Sequence, residues 1–146
     1  YGDHRDLHLS LRRQRQMCIR DRYNNSYGRQ KGDKVLKDLA EILQKSTRDK
    51  IDKVCRYDGD KFTIILPYIN WRNSLIIVER IIRRWEEFNK DITLSIGISQ
   101  ILPEGSLEKS VISLIKRADE ALYLAKKEEG NSYEVDKETL RLVSYL

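Results

Sequence analysis

A turn signal between two short apolar runs constrains the fold of this 146-residue chain more than any other feature. The runs cover residues 54–57 and 62–66, and the dipeptide Asp58-Gly59 lies between them. An Asp-Gly pair in this context predicts a β-hairpin, because a type I′ turn needs positive φ at both central residues. Cys55 lies in the first run and is predicted to be a small buried apolar side chain.

Segments with helical periodicity lie on both sides of the predicted hairpin. One helix is predicted from Gly32-Asp33 to about Ser46, a second begins after the N-cap Asn70, and a third after the N-cap Ser106. The predicted inner face of the third helix consists of Leu107, Val111, Leu114, Ala118, Ala121 and Ala125.

Two further strands complete the predicted order. Apolar residues alternate over 92–98, and residues 133–135 are predicted to form an edge strand. The order helix, hairpin, helix, strand, helix, strand predicts an α+β sandwich of ferredoxin-like type, with helices on the faces of an antiparallel-dominated sheet. The strand with which such a sheet begins would lie within residues 1–22, where no strand pattern is found, so we expect it to be missing.

Residues 1–22 differ from the rest of the chain, with six Arg, three Asp and no apolar periodicity. They could be a basic arm, a disordered tail or a sequencing artefact, since residues 13–22 resemble a translated adapter. We favour the artefact, because the irregular pattern stops abruptly where a well-patterned domain begins. The predicted organisation is therefore a non-domain segment over 1–22, a domain over 23–135, and a tail or short helix over 136–146.

The net charge of +5 would suggest a nucleic-acid partner. Without the first 22 residues, however, the chain has 22 basic and 20 acidic residues, so its net charge is only +2. The run Lys116-Arg117-Ala118-Asp119-Glu120 is typical of a solvated helix face. We therefore expect no nucleic-acid partner.

No apolar stretch reaches the ~20 residues of a membrane span, and no secretory signal is found. Two Cys and two His residues offer neither a disulfide framework nor a zinc spacing. The chain is thus predicted to be a reduced cytoplasmic protein without a structural metal or a membrane segment.

Four motifs resemble those of the GGDEF domains, the diguanylate cyclases of bacterial signal transduction. Residues 23–36 are similar to the family's I-N-D-x-Y-G-H-x-x-G-D-x-V-L, and residues 55–62, read C-R-Y-D-G-D-K-F, resemble its R-Y-G-G-D-E-F hairpin. Residues 92–98 are similar to V-T-x-S-I-G-I, and residues 116–126 to K-R-A-D-x-A-L-Y-x-A-K. The four occur in the family's order and spacing over residues 24–131.

The resemblance implies a nucleotidyl-cyclase palm that joins two GTP molecules into cyclic di-GMP and releases pyrophosphate. Each subunit of a head-to-tail homodimer would hold one GTP, and two divalent cations, Mg²⁺ in this family, would assist the reaction. Such domains usually follow a sensor domain and often precede a phosphodiesterase domain.

The same resemblance assigns substrate-binding residues. Asn24 and Asp33 match the pair that reads the guanine edge, although Asn24 could be a loop residue and Asp33 a first-turn acid that suits the helix dipole. Lys126 matches the phosphate-binding lysine. The family's arginine four residues later is here Gly130, so Lys126 would face the triphosphate as a lone point charge.

The hairpin matches the signature with two substitutions at its turn. Asp60 matches the metal-binding acid, and Gly59 the second glycine, so both are predicted site residues. Asp58 replaces the first glycine, which adds bulk and negative charge where a phosphate should approach. Lys61 replaces the catalytic glutamate, and it could pair with Asp58 and stabilise the hairpin at the expense of catalysis.

Two other family features have no clear match in this sequence. The first-strand aspartate that completes the metal site has no counterpart in residues 1–22. The product-inhibition motif Arg-x-x-Asp retains Asp52, but Asp49 holds the arginine position and Arg48 lies one residue too early. We therefore predict a charged loop there and no tight site for cyclic di-GMP.

These observations predict a GTP-binding GGDEF-family domain that is catalytically impaired and regulates a parent signalling protein. The alternative is an active diguanylate cyclase whose N-terminus is damaged in this sequence. The input signal and the upstream domains do not follow from these residues.

Overall fold

A computed structural model describes residues 29–142 of the chain. The chain divides into two compact units, Tyr1–Ile65 and Leu66–Leu146, which are described separately below. The expectations for residues 1–22, for the missing first strand and for Asn24 fall outside the described residues.

The first unit consists of one helix and one hairpin. Helix α1 (Arg29–Ser46) is followed by strands β1 (Lys53–Asp58) and β2 (Lys61–Ile65). Leu39 and Leu43 are buried on one face of α1, as the helical spacing predicts. The helix begins earlier than predicted, and Asp33 therefore lies beyond its first turn.

Strands β1 and β2 pair antiparallel, which confirms the predicted hairpin. The turn lies one residue later than predicted, at Gly59 and Asp60, because Asp58 pairs with Lys61 and Tyr57 forms a bulge in β1. Gly59 has a φ of 51°, and Asp60 has no positive φ, so the expected type I′ turn is wrong. The burial predicted for Cys55 is also wrong, since its side chain is exposed.

The second unit begins with helix α2 (Trp71–Phe88). The Asn70 side chain accepts a hydrogen bond from the backbone N–H of Asn73, which confirms the predicted N-cap. Trp85 is fully buried, and its Nε1 donates to the carbonyl oxygen of Ile92 at 2.7 Å. This bond ties the helix to the segment that leads into the next strand.

A parallel strand pair and a helix form the rest of this unit. Strand β3 (Ser95–Ile98) pairs with β4 (Ser132–Val135), and helix α3 (Leu107–Ala125) packs on both. A Cβ atom built at Gly97 would lie 2.2 Å from the carbonyl oxygen of Ala118 and 2.4 Å from the backbone nitrogen of Leu122. Only glycine therefore permits this approach of α3 to β3.

The predicted inner face of α3 is correct only toward its C-terminus. Ala121 and Ala125 are buried, whereas Leu107 is 76% exposed and Val111 is exposed as well. The amphipathic pattern identified the helix, and Ser106 caps it as predicted. The pattern alone did not specify which turns pack against the sheet.

A buried arginine joins the last helix of this unit to α3. Helix α4 (Lys137–Arg141) begins after the N-cap Asp136. Arg117 Nη1 donates to Asp136 Oδ2 and to Thr139 Oγ1, both at 3.2 Å, and its Nη2 donates to the carbonyl oxygen of Gln100 at 2.9 Å. The predicted solvated face is therefore wrong at Arg117, which is buried because these acceptors surround it.

Both units mix helices with strands, as the predicted α+β class requires. Among the helices described, none combines the length and the apolar character that crossing a membrane would require.

Candidate nucleotide site

The turn of the hairpin brings four predicted site residues together, in the order Asp58, Gly59, Asp60, Lys61. Asp58 and Lys61 are cross-strand partners at the ends of the two strands. The bulge places Tyr57 beside Lys61 as well. The Lys61 Nζ lies 5.6 Å from the centre of the Tyr57 ring. Lys61, which replaces the family's glutamate, thus lies near the carboxylate of Asp58 and the ring of Tyr57.

Arg56 supports this turn from β1. Its Nε donates to the carbonyl oxygen of Gly59 at 2.7 Å. Arg56 pairs across the hairpin with Phe62. This bond holds the glycine carbonyl against the strand, and it therefore contributes to the position of Asp60 and Lys61.

An open groove of about 490 Å³ lies between α1 and the hairpin. Asp33 lies on its wall, and Arg56 and Phe62 contribute from the hairpin. Among the described residues, the lining consists of Asp33, Leu36, Lys37, Ala40, Gln44, Val54, Arg56 and Phe62. Half of these residues are apolar, and the other half carry charged or amide groups.

Sequence reasoning identified Asp33 in this groove but missed Lys37 and Gln44. Helical spacing could have found them, because residues at intervals of three and four along α1 share one face. Their place on the wall adds an ammonium and an amide to the carboxylate of Asp33. The groove can therefore offer both donors and acceptors to a polar ring.

Within the part of the chain that the structure describes, the hairpin turn alone does not supply the full ligand set of a divalent cation. Mg²⁺ prefers several oxygen ligands in octahedral geometry. Within residues 29–142, no three carboxylate, imidazole or thiol side chains are grouped closely enough to hold a metal. At the signature itself, an ammonium group stands next to Asp60 where the family pattern has a second carboxylate.

Arg48 and Asp52 form a closed pair in the loop between α1 and β1. Arg48 Nη2 donates to Asp52 Oδ1 at 2.6 Å, and the Arg48 backbone N–H donates to Oδ2 at 2.7 Å. The Asp52 side chain is fully buried. The carboxylate of Asp52 is thus bonded within its own loop, which is a charged loop as predicted.

This pair predicts an acid-dependent contribution to stability. The hydrogen bond from Arg48 lowers the pKa of Asp52 below its ordinary value. A carboxyl with a lowered pKa in the folded chain stabilises fully above its unfolded pKa, and this contribution is lost as the pH falls through the folded value. We expect Asp52→Asn to cost about 1–3 kcal/mol at neutral pH, and less as the pH falls below about 4.

Urea unfolding at a series of pH values measures this effect. Glu41→Gln is the matched control, because Glu41 pairs with Lys45 across an exposed turn of α1. Exposed pairs of this kind contribute little, so we expect the control to unfold like the parent chain at neutral pH. An Asp52→Asn variant with the same loss at every pH would contradict the interpretation.

Lys126 belongs to the second unit, at the C-terminal end of α3. It is the C-cap of that helix, and its backbone N–H donates to the carbonyl oxygen of Leu122 at 3.0 Å. The neighbouring Lys127 has its Nζ 4.5 Å from the centre of the Tyr123 ring. Gly130 has a φ of 77°, so the position of the family's arginine is here a left-handed turn.

Comparisons with known proteins place these features in a family. The sequence pattern of the family described as "Diguanylate cyclase, GGDEF domain" matches residues 20–132. The chain is 34% identical to the response regulator PleD of Caulobacter vibrioides over 119 residues, which cover 75% of this chain and 25% of PleD. It is 33% identical to diguanylate cyclase A of Treponema denticola over 124 residues, which cover 80% of this chain and 32% of that protein.

The comparison with solved structures leads to the same family. The crystal structure of an EAL/GGDEF domain protein from M. capsulatus matches with a TM-score of 0.66 and 30% identity, over 81% of this chain and 78% of that one. The chain therefore belongs to the GGDEF family of bacterial cyclic di-GMP signalling, and the predicted palm fold is confirmed. It spans about a quarter to a third of the length of the two relatives named above.

Proposed function

We propose that this chain is a GGDEF domain that binds GTP in the groove beside Asp33, is catalytically impaired, and regulates a larger signalling protein. The groove supports the binding half of this proposal. Asp33 lies on its wall and offers the carboxylate that a guanine edge requires. Leu36 and Phe62 supply apolar surface for the faces of the ring.

The single observation that carries the impairment is the pairing of Asp58 with Lys61 at the hairpin turn. Phosphoryl transfer relies on positioning and on cations that neutralise the developing charge. Here an ammonium takes the place of the family's glutamate, beside the acid that matches the metal ligand, and a carboxylate takes the place of a glycine near the expected phosphates. Gly130 adds a second deficit, because the position of the family's arginine has no side chain.

A cyclase assay with GTP and Mg²⁺ tests this proposal. We expect the chain to form cyclic di-GMP at least about 100-fold more slowly than diguanylate cyclase A, since losing one key electrostatic group typically costs a factor of this size. The double variant Asp58→Gly/Lys61→Glu should form product faster than the parent chain, because it removes the misplaced carboxylate and restores the glutamate.

Lys61→Gln serves as the control in this assay, since it removes the ammonium without adding a carboxylate, and it should remain slow. A rise in melting temperature with GTP is expected independently of turnover. Product formation by the parent chain at the rate of the relative would refute impairment and favour an active cyclase that works as a head-to-tail dimer. An unchanged melting temperature at millimolar GTP would refute the binding role.

A further inference from the structure

Helix α1 presents two opposite charges one turn apart on the wall of the groove. Asp33 and Lys37 both line the groove, and both are exposed. Residues four apart along a helix share one face, with their Cβ atoms about 5–6 Å apart. Glu41 and Lys45, at the same spacing on this helix, form an ion pair at 2.7 Å. Within residues 29–142, by contrast, neither Asp33 nor Lys37 has a hydrogen-bond or ion-pair partner, so both charges are available to a ligand.

The other two polar side chains of the groove are placed differently. Arg56 contributes from the hairpin, and its Nε donates to the carbonyl oxygen of Gly59 at 2.7 Å, which directs the guanidinium toward the turn. Gln44 lies on α1, about 10 Å further along the helix axis than Lys37. Lys37 is therefore the donor on α1 that lies beside the carboxylate of Asp33.

This pair of charges matches the order of polar groups on guanine. The ring nitrogen N1 and the amino group on C2 donate hydrogen bonds, and the neighbouring O6 accepts them. A carboxylate can only accept and an ammonium can only donate. If Asp33 accepts from N1 and from the amino group, O6 is the next polar atom along the edge and requires a donor. Adenine has an amino group in place of O6, so an ammonium beside Asp33 would meet a second donor.

We propose that Lys37 determines the base specificity of the groove by donating a hydrogen bond to O6 of guanine beside Asp33. This inference rests on the proposed function, because it concerns the same base in the same groove. It goes further in assigning a base contact to a residue outside the four sequence motifs. The groove then prefers GTP to ATP, because guanine satisfies both charges and adenine leaves the ammonium facing a donor.

Calorimetric titration of the full chain compares the parent with Lys37→Met, a change that keeps a good helix former on α1. The variant should bind GTP and guanosine about tenfold more weakly, the range expected when a hydrogen bond to a charged group is lost. Its affinity for ATP, and for 2-aminopurine riboside triphosphate, which lacks O6, should equal that of the parent chain. The preference for GTP over ATP should therefore fall about tenfold.

Lys34→Met is the matched control. Lys34 is an exposed lysine of the same helix and is not among the described residues that line the groove. This variant should bind all four ligands like the parent chain. Circular dichroism spectra of both variants verify that the chain is folded.

Three results would overturn the inference and leave the GTP-binding proposal intact. The first is unchanged binding of GTP by Lys37→Met. The second is weaker binding of GTP with unchanged binding of guanosine, and the third is an equal loss for GTP and ATP, since both would mean that Lys37 contacts the phosphates. Absence of GTP binding by the parent chain would instead refute the proposed function itself.

Discussion

Replacing Gly97 by alanine is expected to destabilise the second unit by about 3 kcal/mol, the upper part of the usual range for overpacking. The added methyl would lie 2.2 Å from the carbonyl oxygen of Ala118 and 2.4 Å from the nitrogen of Leu122. Both are backbone atoms of α3, so no side chain can rotate away to make room. Helix and strand would have to separate, which would also loosen the pairing of β3 with β4.

Urea denaturation followed by circular dichroism measures this loss. Gly130→Ala is the graded control, because its added methyl meets no atom within 4 Å but lies on a backbone with a φ of 77°. It should cost only about 1 kcal/mol, from the left-handed conformation alone. If the two variants lost the same free energy of unfolding, the close approach of α3 at Gly97 would not explain the effect.

Replacing Arg117 by methionine is expected to cost about 3–5 kcal/mol, because it leaves the buried carboxylate of Asp136 without its partner. The arginine also donates to Thr139 and to the carbonyl oxygen of Gln100. Its loss should release α4 from α3, so limited proteolysis should cut the C-terminal segment sooner.

Two further single variants and one double variant make this test specific. Lys116→Met alters the exposed neighbour on α3 and should change stability by no more than about 0.5 kcal/mol. Asp136→Asn keeps an N-cap side chain while removing the charge. The double variant Arg117→Met/Asp136→Asn should therefore lose less than the sum of the two single changes. Strict additivity would exclude a direct interaction between the two charges.

Local signals predicted much of the fold. The caps at Asn70 and Ser106 follow from side chains that can accept a hydrogen bond from the first helical turn. The hairpin follows from its flanking strands, but the turn lies one residue later because a bulge at Tyr57 takes up the extra residue. Alternation alone cannot detect a bulge, since it depends on how the partner strand pairs.

Tertiary surroundings decided the features that the sequence could not reveal. Arg117 lies in a run of mixed charge that is typical of a solvated face, yet acceptors from the β3–α3 loop and from α4 enclose it. Leu107 continues an apolar pattern and is exposed. In both cases the residue type was compatible with either environment, and packing partners far along the chain made the difference.

The sequence predicted which residues belong to the candidate site better than it predicted their contacts. The motif matches led to Asp33 and to the residues of the turn, and Asp33 lies on the wall of a groove. The contact of Lys61 with Tyr57 was not predictable, because it depends on the bulge that brings the ring beside the lysine.

The left-handed backbone at Gly130 limits which residues this position accepts. Arginine here would have to adopt a φ of 77°, at a cost of about 1 kcal/mol. The new side chain would also start from a turn, since α3 ends at Ala125. An arginine introduced at position 130 would therefore continue the helical face of Lys126 only if the end of α3 were rebuilt.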